Sequence, residues 1–198
     1  MKKLALVLLV GLSFASTTNA QFKFGVKAGA NFSTFSGKDA DGAQTLVGFN
    51  GGVFAGLGLA DHLSLQPELV YSLQGAKEND GQGGTATQTA NYLNIPVLLK
   101  YRFPMGLFIE TGPQIGFILS GKVKDQGVSV DDKNVFKSTD FSWALGAGFH
   151  IPTTELAVDV RYNFGLSSIA ADQSGTSFNV KNGVFQVGLM YTLFSTDK

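Results

Sequence analysis

The sequence predicts an all-β protein, an eight-stranded antiparallel up-and-down transmembrane β-barrel preceded by a cleaved signal peptide. Three observations predict it. Beyond residue 20, apolar and polar residues alternate through eight segments, and a period of two marks strands with one apolar and one polar face. Charged residues make up 15% of the chain, against about 25% in an ordinary soluble domain. No segment after the first is long and apolar enough for a membrane helix, which needs about 20 residues.

The N-terminal segment reads as a targeting signal. Lys2 and Lys3 supply positive charge, and Leu4 to Phe14 is an apolar run too short to span a bilayer. Ala15 to Ala20 is small and polar, with Thr18 and Ala20 at the −3 and −1 places of a cleavage site. The expected division is a signal peptide over 1–20 and one barrel domain over 21–198. The absence of Cys excludes lipid attachment at a cysteine, disulfides and thiolate chemistry. With 15 basic and 15 acidic residues the net charge is zero, which argues against a nucleic-acid partner.

The eight expected strands follow in order. Phe22 to Phe32 sets Phe22, Phe24, Val26 and Phe32 against Lys23, Lys27 and Asn31. Val47 to Leu59 sets Val47, Phe49, Val53 and Leu57 against Asn50 and several Gly. Leu63 to Leu73 sets Leu65, Leu69 and Tyr71 against Gln66, Glu68 and Ser72. Tyr92 to Phe103 sets Ile95, Val97, Leu99 and Tyr101 against Asn94, Lys100 and Arg102. Leu107 to Leu119 sets Ile109, Ile115 and Phe117 against Glu110 and Gln114. Phe141 to His150 sets Phe141, Trp143 and Leu145 against Ser142, Gly146 and His150. Leu156 to Leu166 sets Val158, Val160, Tyr162 and Phe164 against Asp159, Arg161 and Asn163. Gly183 to Phe194 sets Phe185, Val187, Leu189, Tyr191 and Leu193 against Gln186, Gly188, Met190 and Thr192.

The connections alternate in length. Ala60 to His62, Pro104 to Gly106 and Ile151 to Thr154 are short. Ser33 to Leu46, Gln74 to Asn91, Gly121 to Asp140 and Ser167 to Asn182 are long and polar. Short periplasmic turns and long outer loops characterise outer-membrane barrels. In that orientation the aromatic residues gather near both strand ends, as two interfacial girdles. Pro67, Pro96 and Pro113 fall inside strands, where each removes a ladder hydrogen bond, so bulges or local breaks are expected there.

Two resemblances add to this reading. Gln186, Gly188, Tyr191 and Leu193 resemble the terminal signal that delivers outer-membrane barrels to the barrel-assembly machinery. The runs Gln66-Pro67-Glu68-Leu69, Tyr92 to Val97, Gly112-Pro113-Gln114 and Arg161 to Leu166 resemble those of PorT-type small outer-membrane β-barrel proteins, in the style of the OmpX and OmpA barrels. The resemblance implies a bacterial outer-membrane location, and ties one namesake member to protein secretion. It carries over no catalytic or ligand-binding position.

A barrel of eight strands has room only for its own side chains. An inward polar face places Lys23, Lys27, Glu68, Lys100, Arg102, Glu110, Asp159 and Arg161 together as a lumen charge network, with Lys100 directly across from Glu110. The two readings of this network are mutual compensation of buried charge and a narrow ion path. The two His, His62 and His150, fall at periplasmic ends, far from an outer rim where lipid or peptide would be cut. No enzyme activity, cofactor or metal is expected. The expected function is structural, adhesive or docking, through the outer loops. The alternative is a narrow channel or an accessory of envelope protein secretion. The expected partners are membrane lipid, the barrel-assembly machinery and an envelope protein.

Overall fold

The computed structural model describes residues 21–38, 40, 42–79, 85–125, 128–131, 137–170 and 179–196. The expected signal peptide lies outside the described residues. The strands are β1 (Phe22–Ser36), β2 (Ala43–Ala60), β3 (Leu63–Asn79), β4 (Thr85–Arg102), β5 (Leu107–Asp125), β6 (Val128–Asp131), β7 (Thr139–His150), β8 (Leu156–Gly165) and β9 (Lys181–Ser195). All pairings are antiparallel. β1 pairs with β9 and β4 with β5, which closes the eight-membered ring β1-β2-β3-β4-β5-β7-β8-β9; β6 hangs from β5 outside it. Closure removes the unpaired edges that an open sheet would expose to lipid.

Alternation sorts the side chains. Val47, Phe49, Ile109, Trp143, Val160, Leu189 and Leu193 face outward and are exposed, whereas Asn31, Ser72, Glu110 and Arg161 are buried inside the ring. A soluble protein arranges these classes the other way round, so the solvent of the outer face is lipid. Aromatic contacts mark its two borders. Phe22 with Phe194 and Tyr101 with Phe103 (centroids 6.3 and 5.0 Å apart) lie at the end carrying the short turns. Phe32 with Phe185, Phe49 with Tyr71 and Tyr162 with Phe164 lie at the other. On the lipid face the indole N–H of Trp143 donates to Thr111 Oγ1 at 2.8 Å, and that hydroxyl donates to the Ala144 carbonyl at 3.0 Å. No polar group of the pair is left for hydrocarbon to solvate.

The outer ends differ from the sequence expectation. Segments expected as loops continue as paired strands: Ala43–Thr45 pairs with Ala76–Glu78, and Thr87–Thr89 with Lys122–Lys124. β6 then extends this sheet from Lys122–Asp125. Lys77, Lys122 and Lys124 are exposed there, which sets this extension above the hydrocarbon. With water on its outer side, it needs no apolar alternation, so its strands are silent in the sequence pattern. A register shift between Asn91 and Tyr92 marks where it leaves the wall.

The prolines also behave differently from expectation. None shifts the register. Around them pairing lapses at 55–56 opposite 66–67, 68–69 opposite 95–96, and 97–98 opposite 112–113, then resumes in step. Each proline keeps a partner on its other side: Pro67 with Val97, Pro96 with Gln114, and Pro113 with Trp143. The missing N–H thus silences one side of each strand, staggered diagonally over four neighbours, and the second side holds the register. The register shifts occur elsewhere, at Phe24/Gly25, Thr45/Asn50, Gly58/Ala60 and Asn91/Tyr92.

Candidate functional site

The interior is layered along the barrel axis. At the periplasmic end Phe54, Phe108, Ala157 and Met190 form a buried apolar layer. Two rings reach across the lumen only because they lie over glycines. A Cβ on Gly25 would stand 2.4 Å from Phe54 Cζ, and one on Gly148 would stand 2.2 Å from Phe108 Cζ. At the outer end Phe35, Ala76, Ala90, Tyr92, Ile118 and Ile169 form a second apolar cluster. Ile169 comes from the segment before β9, held there by its N–H on the Val180 carbonyl and its carbonyl on the Lys137 N–H.

Between these layers sits the charge cluster. The Arg161 guanidinium donates to both Glu68 carboxylate oxygens at 2.9 Å. The same side chain donates to Glu110 Oε1 from Nε at 2.8 Å and from Nη2 at 2.6 Å. Lys27 Nζ lies 3.3 Å from Glu68 Oε2 and 3.7 Å from Asp159 Oδ2. Lys100 Nζ lies 3.6 Å from Glu110 Oε2, donates to Gln66 Oε1 at 3.1 Å, and sits 3.7 Å from the Phe108 ring centroid. Gln66 in turn donates to Glu68 Oε1 at 2.8 Å. Three cations and three carboxylates, all buried, neutralise one another. The planar Arg fork suits two-point binding of a carboxylate, which a Lys could not supply.

Above the charges lies an amide and hydroxyl layer. Asn31 donates to Ser72 Oγ and to the Phe49 and Leu73 carbonyls at 2.9–3.0 Å. Its oxygen accepts from Asn50 at 2.7 Å and Gln186 at 2.9 Å. Gln74 donates to Ser72, and Asn182 donates to Gln74. Near the outer rim, Ser167 Oγ donates to Asp140 Oδ1 at 3.1 Å.

The residues expected to share the lumen thus divide. Lys27, Glu68, Lys100, Glu110, Asp159 and Arg161 meet in one cluster. Lys23 and Arg102 stand instead toward the periplasmic mouth, where with His150 they line a cavity that Gln66 and Lys100 of the cluster also border. Of the terminal-strand residues, Gln186 is inside on Asn31, Gly188 pairs with Gly29, and Tyr191 and Leu193 face lipid. The inward Phe54 and Phe108 escaped the sequence reading. Their trace was the broken alternation at Val53-Phe54 and Leu107-Phe108-Ile109, where consecutive apolar residues must face both ways.

Comparison with known proteins agrees with this architecture. No curated protein matches the sequence. In fold the chain is similar to Neisserial surface protein A, at 16% identity and a TM-score of 0.56 over 86% of this chain and 97% of that one. It is also similar to Ail, the attachment invasion locus protein of Yersinia pestis, at 14% identity and a TM-score of 0.50 over 89% and 100%. The family model described as outer membrane protein beta-barrel domain matches residues 14–171. With the closed ring, the lipid-facing girdles and that match, the chain is a bacterial outer-membrane protein and belongs to the outer membrane protein beta-barrel domain family.

Proposed function

We propose that this is a closed, non-enzymatic barrel that works through its outer hairpins as a structural, adhesion or docking protein. The observation that carries this reading is the Arg161 side chain, which spans the lumen to bind Glu68 and Glu110. A cross-section occupied by mutually bonded side chains, between two apolar layers, supports a lumen closed to ions. What remains for work is the outer sheet of β3 to β6, raised above the lipid with Lys77, Lys122 and Lys124 outward. Among the described residues, Asp140 and Ser167 meet at that rim, whereas His62 and His150 line the periplasmic cavity, which supports the non-enzymatic reading. The terminal strand, with Tyr191 and Leu193 presented to lipid, suits recognition by the barrel-assembly machinery during insertion.

Planar-bilayer recording of the purified protein tests the closed lumen. The expected trace is flat. A large steady current would replace this reading with the narrow channel. Mild-detergent extraction of tagged protein, with and without Val128–Asp131, tests the outer sheet. A stoichiometric partner lost with that hairpin supports docking. A partner that persists without it would point to the accessory role in secretion that the PorT-type resemblance implies.

A further inference from the structure

We infer that the lipid face of the barrel carries a groove that binds one acyl chain of a phospholipid from the periplasmic leaflet. The groove lies apart from the outer sheet, and its occupancy is independent of the function proposed above. It is a hollow of ≈ 150 Å³ in the outer wall. Leu99 and Tyr101 of β4 form one bank, Leu145 of β7 forms the other, and Ile109 and Thr111 of β5 form the floor. A dry cavity of this size takes a group as large as benzene, which corresponds to a stretch of about six chain carbons.

Strand register explains why the wall is hollow here. Two rows of outward side chains cross the strands at this level, Leu65–Leu99–Thr111–Leu145 and Leu63–Tyr101–Ile109–Ala147. The first row drops to a short side chain at Thr111 and the second at Ala147, between larger neighbours. Thr111 is pinned low: its hydroxyl donates to the Ala144 carbonyl at 3.0 Å and accepts from the Trp143 indole at 2.8 Å. That hydroxyl is bonded in both senses and makes no demand on a ligand. Glu110 borders the groove only from the strand, because its carboxylate is buried on the inner side with Arg161. The surface offered is therefore carbon, and a chain lying between the banks touches carbon on three sides instead of one.

Position names the occupant. Leu99, Ile109 and Leu145 are exposed on the face that meets hydrocarbon. Leu63 and Tyr101 stand beside the short turns, so the groove opens at the periplasmic border. There the Tyr101 ring meets Phe103 at 5.0 Å and His62 at 6.0 Å between centroids, part of the aromatic belt that sits at headgroup level. A chain hanging from a headgroup at that belt enters along β5 and ends against Trp143, which pairs with Pro113 further in. A chain from the outer leaflet would have to pass the Trp143 row first.

The test uses Trp143, the single tryptophan of the chain, which stands 43% exposed at the inner end of the groove. The protein, folded in maltoside micelles, is titrated with phosphatidylethanolamine brominated in mid-chain, and quenching of Trp143 is followed. Tryptophan octyl ester in the same micelles gives the curve for random mixing. Half-quenching of the protein is expected at a phospholipid fraction about threefold or more below that curve, the worth of a few extra carbon contacts per chain. Ile109→Phe and Leu145→Phe, each normalised to its own unbrominated intensity, should fill the groove and return the protein to the random curve. Val26→Phe, on β1 four strands away, should not. Heat-modifiable migration shows that each variant is folded, and because the two fillings lie on different strands either one suffices. Quenching that follows random mixing in the wild type, or an excess that the folded fillings retain, would overturn the inference. So would protection of Trp143 that grows with protein concentration, which would assign the face to a second copy of the chain.

Discussion

Arg161 and Glu68 meet across the full width of the barrel. Their strands, β8 and β3, are four places apart whichever way the ring is followed, and the guanidinium closes both carboxylate oxygens at 2.9 Å. The pair is a strut between opposite walls, 93 residues apart in sequence.

Removing the strut should be the most damaging interior change. Arg161→Met leaves Glu68 and Glu110 buried without their shared partner, and breaking a buried pair on one side costs about 3–5 kcal/mol. Urea unfolding in lipid vesicles reads this as a lower midpoint. The double change Arg161→Met, Glu68→Gln should recover most of the loss, because Lys27 keeps Asp159 and Lys100 keeps Glu110. Equal damage in both would show that shape, not charge, is what the cluster contributes.

Lys100→Ala should be milder. Glu110 keeps Arg161 on Oε1, while the contact to Oε2, the Gln66 bond, the Met190 Sδ contact and the Phe108 ring contact disappear. A loss of about 1–3 kcal/mol is expected for charge-assisted hydrogen bonds. A double-mutant cycle with Glu110→Gln should return a coupling of at least about 0.5 kcal/mol. Additive single effects would mean that the two do not interact.

Gly148→Ala tests the ring layer. Its added methyl meets Phe108 Cζ at 2.2 Å and the Val158 carbonyl oxygen at 2.3 Å. Overpacking of this kind costs about 1–3 kcal/mol. Adding Phe108→Ala should not restore wild-type stability, because the carbonyl clash persists and a cavity is opened. The comparison is of unfolding midpoints for the single and double variants.

Val160→Arg places a charge on the lipid face, where Val160 is 45% exposed. The expected cost is about 2–4 kcal/mol at the bilayer midplane, read by folding into vesicles. The inward position Asn163, on the same strand, offers the contrast: Asn163→Ser changes no lipid contact and should stay within about 1 kcal/mol.

Tyr191→Ala should act on assembly rather than on the finished barrel. Tyr191 lies outward on β9, 45% exposed and away from the interior cluster. Slow membrane insertion in cells, with near-normal unfolding of the purified protein, is the expected combination. Unchanged insertion kinetics would remove the terminal strand from the role proposed for it.

The membrane reading was legible because lipid imposes a periodic demand. Phe185, Val187, Leu189, Tyr191 and Leu193 recur at every second position, and every wall strand repeats the rule. Even Lys100 across from Glu110 could be counted off, since a short turn fixes the register of its hairpin. The outer sheet could not be read in the same way. Lys77, Thr87 and Lys122 stand in water on strands that need no apolar face, so pairing there leaves no pattern.

By itself, then, the sequence determined the solvent, the number of wall strands and which face of each points inward. All three follow from local alternation and turn length. Tertiary structure alone decided that Arg161 reaches Glu68 rather than its own hairpin neighbours. It also decided that Phe54 and Phe108 pack together inside the barrel, and that Lys23 and Arg102 line a cavity at the mouth instead of joining the ion pairs of the cluster. Those relations run between strands distant in the chain. Their partners are set by ring closure and strand tilt, which act on the whole barrel at once and leave no trace in any single segment.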